Sequence, residues 1–578
     1  MNLKSNRASL LALAFVPVII AGCADKTGVN TADTIYTGGN IITVNDAAPS
    51  AEALAVKDGK ILAVGAKADV LETKGNATKL VDLGGKTLIP GFVDAHGHLS
   101  QVAVQAISAN LLPPPDGPAT SIPQIQQAMR EFIAISPAVK QYGLAIGFDY
   151  DDSQLAEHRH PTRQELDAIS TEIPIVVIHQ SGHLGVYSSK ALANGKITAD
   201  SPNPEGGTIY READGKTPNG LMDENAHIAM LMKTLPKFTP EQMIEMMSAA
   251  QDIYAKYGFT TVQDGRTDPM TLSVYPQAAN AGALKLDVVA YPDLVLNEKN
   301  PQLQGAFMSR GYTGRFRIGG VKLGFDGSPQ GKTAWFTQPY FKVPAGAKPD
   351  YNGFPIFPQD AEPERLLTLA YRNKWQVMVH ANGDAAIDQL LRLARAASTT
   401  VPGTDRRTVM IHGQFLREDQ VALVKELEIF PSLYPMHTFY WGDWHRESVA
   451  GPERAENISP TGWLLAKDMK FTIHHDAPVT FPNSMRVLDS AVNRTTRTGY
   501  VLGAKHRLTP AIALEAMTLW PAYQHFEEQT KGSLEVGKLA DLVILDKNPL
   551  TVDPKTIKNI KVVETIKEGR SIYTAAAR

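Results

Sequence analysis

Cysteine is nearly missing from this sequence. Its 578 residues include one, Cys23, so no disulfide can form within the chain. Neither sign of charge prevails: 57 Lys and Arg against 60 Asp and Glu leave a net −3. That balance removes the usual reason to expect nucleic acid or an anionic membrane surface as a partner. Internal repeats and low-complexity tracts are lacking, which excludes a repeat architecture. The apolar run Leu10 to Ile20 is too short to cross a bilayer as a helix. What is present is ordinary for a soluble globular protein: 43% apolar and 20% charged residues, over a length that predicts two to four structural units.

The first 22 residues read as a secretory signal outside the fold. Lys4 and Arg7 precede the apolar stretch, and the small-residue step Ile20-Ala21-Gly22-Cys23 closes it. The segment resembles a bacterial lipoprotein signal. That resemblance implies cleavage before Cys23, lipidation of that cysteine, and a soluble body held on the periplasmic side of a bacterial membrane by acyl chains alone. Ala24, in place of Asp, implies the outer membrane.

Both ends of the remaining chain are rich in short β runs. Residues 53–65 alternate around Asp58-Gly59, a strong hairpin signal, and residues 560–573 turn at Glu568-Gly569. Neither end has enough apolar area to stand alone. Residues 30–90 and 530–578 are therefore expected to form one composite β-sandwich.

Between them, residues 91–529 alternate apolar strands with helical segments. Eight strands are expected: Phe92–Ala95, Thr260–Asp264, Leu286–Tyr291, Ile318–Gly324, Gln376–His380, Val409–His412, Ile429–Leu433 and Phe471–His475. Thr239-Pro240 and Thr509-Pro510 carry helix-start chemistry. The pattern predicts an α/β fold, a (β/α)8 TIM-like barrel, whose chemistry sits at the C-terminal strand ends. Residues 100–235 break the alternation after strand one and read as an inserted subdomain over the barrel mouth.

The strand-end rule selects one set of side chains. The stretch Leu88-Ile-Pro-Gly-Phe-Val-Asp-Ala-His-Gly-His-Leu99 places His96 and His98 two residues apart, on one side of an extended chain. Lys322 lies in strand four, His380 ends strand five, His412 ends strand six and Asp476 follows strand eight. Four imidazoles, a lysine and a carboxylate on five strands are the donor types of a divalent-metal site.

These residues resemble the amidohydrolase superfamily, and more closely amidohydrolase family 3, which includes N-substituted formamide deformylases. The resemblance rests on Pro90-Gly-Phe-Val-Asp-Ala-His-Gly-His98, Lys322 to Gly331, His380-Ala-Asn-Gly-Asp384 and Lys538-Leu-Ala-Asp-Leu-Val543. It implies one or two divalent cations, zinc first, with iron or manganese also suited. By this resemblance His96 and His98 hold the first metal, and His380 and His412 the second. Lys322, once carbamylated, bridges both; Asp476 binds the first metal and handles protons. The chain departs from the family at His475, where Ser is common; this histidine either crowds the site or binds substrate.

Several further residues are candidates. His183, in the insertion, is placed to orient the substrate carbonyl. Asp326 and Asp384 are expected to orient ligands from behind or to serve in turns and caps. Trp335, Tyr434 and His437 are candidates for a pocket wall around an apolar group. His474 is expected in the core. The leading reading is a metal-dependent hydrolase of non-peptide C–N bonds: an amide, N-formyl or N-acyl group on a small, partly apolar molecule. An ester or lactone hydrolase, or a deaminase, is the alternative within the superfamily; deaminases there generally lack the bridging lysine. A solute-binding lipoprotein is the alternative of another class, and it needs neither Asp476 nor so many ligands. A homodimer is a family expectation.

Overall fold

The two ends of the chain meet in one sheet. A computed structural model describes residues 31–344 and 346–576; the signal segment and Cys23 lie outside the described residues. Thr87–Pro90 pairs on one side with Asn40–Ile42 and on the other, antiparallel, with Leu542–Leu545 near the C-terminus. Val562–Lys567 and Arg570–Thr574 extend this six-stranded sheet. A four-stranded sheet built on Thr34–Thr37 packs against it, and Leu54, Val56, Leu88, Leu542 and Ile544 fill the space between. The two expected hairpins form as their turn residues require. Asp58 and Gly59 take φ of 49° and 76°, Glu568 and Gly569 take 47° and 73°, the left-handed pair that matches strand twist.

The middle of the chain supplies parallel strands separated by helices. Thr239 caps Pro240–Lys256 through a capping box with Gln242, and Thr509 caps Pro510–Glu515. The strands run in sequence order but in two sheets. One holds Phe92–Val93, Phe259–Thr267, Asp287–Pro292 and Phe316–Ile318; the other holds Gly320–Gly324, Gln376–Ala381, Val409–His412, Phe430–Leu433 and Thr472–Ile473. The expected fourth strand is thus two. Its apolar run continues through residue 319, but the partner changes: Ile318 pairs with Ala290, Gly320 with Gln376. Gly319 fits because a Cβ there would lie 2.6 Å from Val289 Cγ1.

The two sheets are joined beside this break by a bridge between Asp293 and Lys322. At the other side, the first and last strands are only two residues long. What meets there is the chain beyond them: the Asp476 amide donates to His96 O, and the His98 amide to Ala477 O. No continuous ladder closes the two arcs among the described residues.

Between the first two of these strands lies a separate six-stranded sheet, from Ala109–Asn110 to Pro218–Asp223, with its own apolar clusters on both faces. A buried ion network ties the terminal sandwich to the strands. Lys567 lies 2.6 Å from Asp287 and 2.8 Å from Asp541; Lys531 lies 2.6 Å from Asp287 and 2.8 Å from Glu527, which also pairs with Arg317. Asp287 begins its strand, so this network lies at the end opposite the histidines. No helix among the described residues is long and apolar enough to cross a membrane.

Candidate metal centre

His96, His98, Lys322, His412 and Asp476 converge. Each lies at or just past the C-terminal end of a parallel strand, except Lys322, which sits mid-strand. His98 Nε2 is 3.2 Å and His96 Nε2 3.4 Å from Asp476 Oδ1; His412 Nε2 is 3.8 Å from Asp476 Oδ2. Lys322 Nζ is 3.2 Å from His96 Nε2. Two of these residues are held in left-handed backbone, His412 at φ 71° and Asp476 at φ 55°; non-glycine residues in that region gather at functional sites.

The far nitrogen of each imidazole is tied down. His98 Nδ1 faces the Gly265 carbonyl at 2.6 Å, which can only accept. His96 Nδ1 faces Gln263 Oε1 at 2.6 Å, and the Gln263 amide nitrogen donates to Ala95 O, which fixes that side chain's orientation. Both Nδ1 atoms therefore carry the proton, and both Nε2 atoms turn a lone pair toward Asp476. Asp476 Oδ1 is buried and has no hydrogen-bond partner. Lone pairs and a carboxylate oxygen at this spacing, with no proton between them, repel unless a cation lies among them. The donor set of imidazoles and carboxylate suits a divalent ion, and His96, His412 and Asp476 meet the spacing for one. Burial, and then the charge on Lys322 and the neighbouring rings, push the His96 imidazole well below its ordinary pKa, which keeps its lone pair free. Burial likewise pushes the Lys322 ammonium down to about 7.

His380 stands beside this group rather than in it. Its ring centre is 4.7 Å from that of His412, while Nδ1 faces Asp326 Oδ1 at 3.2 Å and Nε2 faces Asn382 at 3.2 Å. Asp326 is thus placed behind His380, held by amides of Asn382, Gly383 and Trp335. Burial pushes its carboxyl up to about 7 against those bonds. Asp384 behaves differently: it begins the helix Asp384–Thr400 and bonds Thr337 and Arg417, reaching none of the histidines.

The histidine pair after the last strand is reversed from expectation. His475 points away from the cluster: Nε2 lies 3.3 Å from Asp94, and the ring packs on Phe259 and Tyr254. His474 is the neighbour of the site, with Nε2 at 3.2 Å from His412 Nδ1 and Nδ1 at 2.9 Å from Ser432 Oγ. The two-residue period that puts His474 on Asp476's side was available in the sequence. Tyr434 is fully buried, its ring stacked on His474 and its hydroxyl on Thr480, so it backs this relay and lines no open space. His437 lies on Tyr434 and 6.2 Å from His412, centre to centre; Trp335 is partly buried.

His183 reaches the same space from the insertion. Its ring is 5.8 Å from that of His380, and Nδ1 is 2.8 Å from Glu224 Oε2. Burial works against a charged imidazole there, but Glu224 outweighs it and raises the pKa. Glu224 and Gln263 carried no local sequence signal.

Comparison with known proteins agrees with this geometry. Residues 79–573 match the model of the amidohydrolase family. The chain is 25% identical over 560 residues to N-substituted formamide deformylase of Arthrobacter pascens, covering 93% of this chain and 97% of that one. It is 30% identical over 388 residues to the exoenzymes regulatory protein AepA of Pectobacterium carotovorum subsp. carotovorum, covering 66% and 80%. The structure of a metal-dependent hydrolase from Pyrococcus horikoshii OT3 superposes with a TM-score of 0.71 at 25% identity, over 90% of this chain and 99% of that one. With imidazole lone pairs aimed at an unpartnered carboxylate and a family match spanning nearly all its described length, this chain belongs to the amidohydrolase family and is a metal-dependent hydrolase of carbon–nitrogen bonds.

Proposed function

We propose that the chain hydrolyses the amide bond of small N-formyl or N-acyl amines with an apolar part. The observation that carries this reading is the unpartnered Asp476 Oδ1 facing the Nε2 atoms of His96 and His98. These three residues would hold a first divalent ion, most suitably zinc. His412, which meets the spacing for that same ion, would with His380 and a carbamylated Lys322 hold a second. When bound, such ions supply Lewis acidity, lowering the pKa of coordinated water and polarising a carbonyl oxygen. The likeness to a formamide deformylase supports the acyl-amide substrate.

The chain's own residues then have distinct tasks. Asp476 accepts a proton from the attacking water and returns it to the departing nitrogen as the C–N bond breaks. His183, held by Glu224, orients the carbonyl from the insertion side. Trp335, only partly buried, flanks the apolar part of the substrate, with the buried His437 packed behind the site. Burial of the cluster excludes bulk water: His96 is 1% exposed, Lys322 2% and Asp476 7%. The two arcs of strands are proposed to complete a (β/α)8 barrel that holds these groups at one rim. Export and lipid anchoring through Cys23 belong to the same proposal.

The test is direct. Purified protein is assayed for bound metal and for amine release from N-formyl and N-acyl amines, beside Asp476→Asn. Bound metal and a loss of turnover by about 100-fold or more in the variant support the reading. Metal-free active protein, or an unaffected variant, overturns it.

A further inference from the structure

The first barrel strand stops early, and side chains meet the carbonyls that follow it. Phe92–Val93 pairs with Phe259–Thr267 over two residues. Among the described residues, the Ala95 carbonyl then accepts no backbone amide. It accepts two side-chain amides instead. One is Gln263 Nε2 at 2.7 Å, from the neighbouring strand; the other is Gln524 Nε2 at 2.7 Å, from the end of helix Leu519–Gln524. The carbonyl before it, Asp94 O, faces His525 Nε2 at 2.9 Å. Gln524 Oε1 in turn accepts from the Thr472 hydroxyl, in the last strand, at 2.8 Å. Both glutamines are fully buried. A path of side-chain bonds therefore crosses the place where the two arcs lack a ladder, from Thr472 through Gln524 and Ala95 to Gln263.

That path ends on an imidazole of the metal centre. Gln263 Oε1 is 2.6 Å from His96 Nδ1. The Gln263 backbone amide donates to Asp94 Oδ2 at 3.1 Å, and the other oxygen of Asp94 accepts the His96 amide at 3.0 Å. Ring and backbone of His96 are thus held from the same neighbours. The Gln263 side chain must accept from the ring with one atom and donate to the carbonyl with another. An amide does this. An ionised carboxylate would set an oxygen against Ala95 O, and a hydrocarbon chain would leave the buried His96 N–H without an acceptor.

We infer that Gln263 and Gln524 are positioning residues for the first cation, which together aim His96 Nε2 at it through the ring proton and the Ala95 carbonyl. The inference rests on the reading of His96 as a metal ligand. Gln263 acts on the ring directly. Gln524 acts one bond further away, through the carbonyl that both amides share, so its effect is smaller and has the same direction.

The experiment measures the zinc affinity of the purified, metal-stripped chain by competition with a chromophoric chelator. Wild type, Gln263→Met, Gln524→Met and the double variant are compared, with thermal melts of the metal-free proteins to verify folding. Affinity is expected to fall about 10- to 100-fold in Gln263→Met and about 10-fold or less in Gln524→Met. The double variant loses less than the two single losses combined, since both amides act at Ala95 O. In a nitrogen-labelled histidine sample, a hydrogen-bonded ring N–H resonance of the zinc-loaded wild type moves in Gln263→Met, as its acceptor is lost. Gln263→Asn, whose amide cannot span both contacts, replaces Gln263→Met if that variant does not fold. An unchanged zinc affinity in either folded variant strikes that glutamine from the assignment. Lower melting temperatures with unchanged affinity in both assign the amides to closing the fold alone and overturn the inference. A wild type that binds no zinc instead refutes the metal-centre reading, and the inference falls with it.

Discussion

His474 Nε2 lies 3.2 Å from His412 Nδ1, and this contact decides which nitrogen of His412 faces Asp476. With His474 in turn on Ser432 Oγ at 2.9 Å, the relay runs from a hydroxyl through two imidazoles to the cluster. Residues that hold a metal ligand's far nitrogen tune its affinity.

His474→Phe removes that acceptor while filling similar space. Metal affinity is expected to fall about 10- to 100-fold, with His474→Asn retaining more of it. Metal content after dialysis against graded chelator measures the loss. An unchanged affinity in His474→Phe would assign His474 to packing alone.

Lys322 gives the second prediction. An amine titrating near 7 is largely neutral in mildly alkaline buffer and able to take up carbon dioxide. Lys322→Ala is expected to hold about half the wild-type metal and to lose activity by roughly 100-fold or more. Elemental analysis and rates, with and without added bicarbonate, check this. A carbon-13 carbamate resonance from labelled bicarbonate should appear in the wild type and vanish in the variant.

Acid stability should follow the ion network opposite the site. Burial alone would raise the Glu527 carboxyl, but Lys531 and Arg317 outweigh it and hold its pKa down, from an ordinary 4.5 to about 2. A carboxyl depressed by folding stabilises the protein fully above its unfolded pKa. That contribution is lost as pH falls through the folded value, here from 4.5 toward 2. Thermal melts should therefore drop steeply across that window. Glu527→Gln should be less stable at neutral pH by about 3–5 kcal/mol and show a shallower acid slope.

Gly319 marks the step between the two strand sheets. A valine there would press on Val289 and on the Tyr291 hydroxyl, 2.6 and 2.7 Å from the new Cβ. Overpacking of this kind costs about 1–3 kcal/mol, read as a lower urea midpoint for Gly319→Val. A midpoint equal to wild type would show that the step relaxes freely.

The sequence made some of this legible and concealed the rest for physical reasons. Val409–His412 could be read residue for residue because its apolar run is bounded by chain that cannot continue it. The Asp58-Gly59 hairpin was readable because left-handed turn residues declare themselves locally. The split at Gly319 was not, because which neighbour each half pairs with is settled by distant chain. Within the site, His96 and His98 stood out through spacing. Gln263 and Glu224 did not, since a lone polar residue in an apolar strand or before a helix looks the same whether or not it meets an imidazole. His474 shares Asp476's side by strand parity, two residues away, while His475 faces Asp94 on the other side.

The strand Thr87–Pro90 lies between Asn40–Ile42 and Leu542–Leu545, and this has a consequence during synthesis. Its early neighbour leaves the ribosome before it, but its late neighbour emerges only after nearly the entire chain, roughly half a minute later at ordinary elongation speeds. For that interval an apolar edge with unmatched backbone groups stands bare, the kind that recruits other chains. Wherever the chain folds, that edge of Thr87–Pro90 stays without its partner until Leu542–Leu545 arrives.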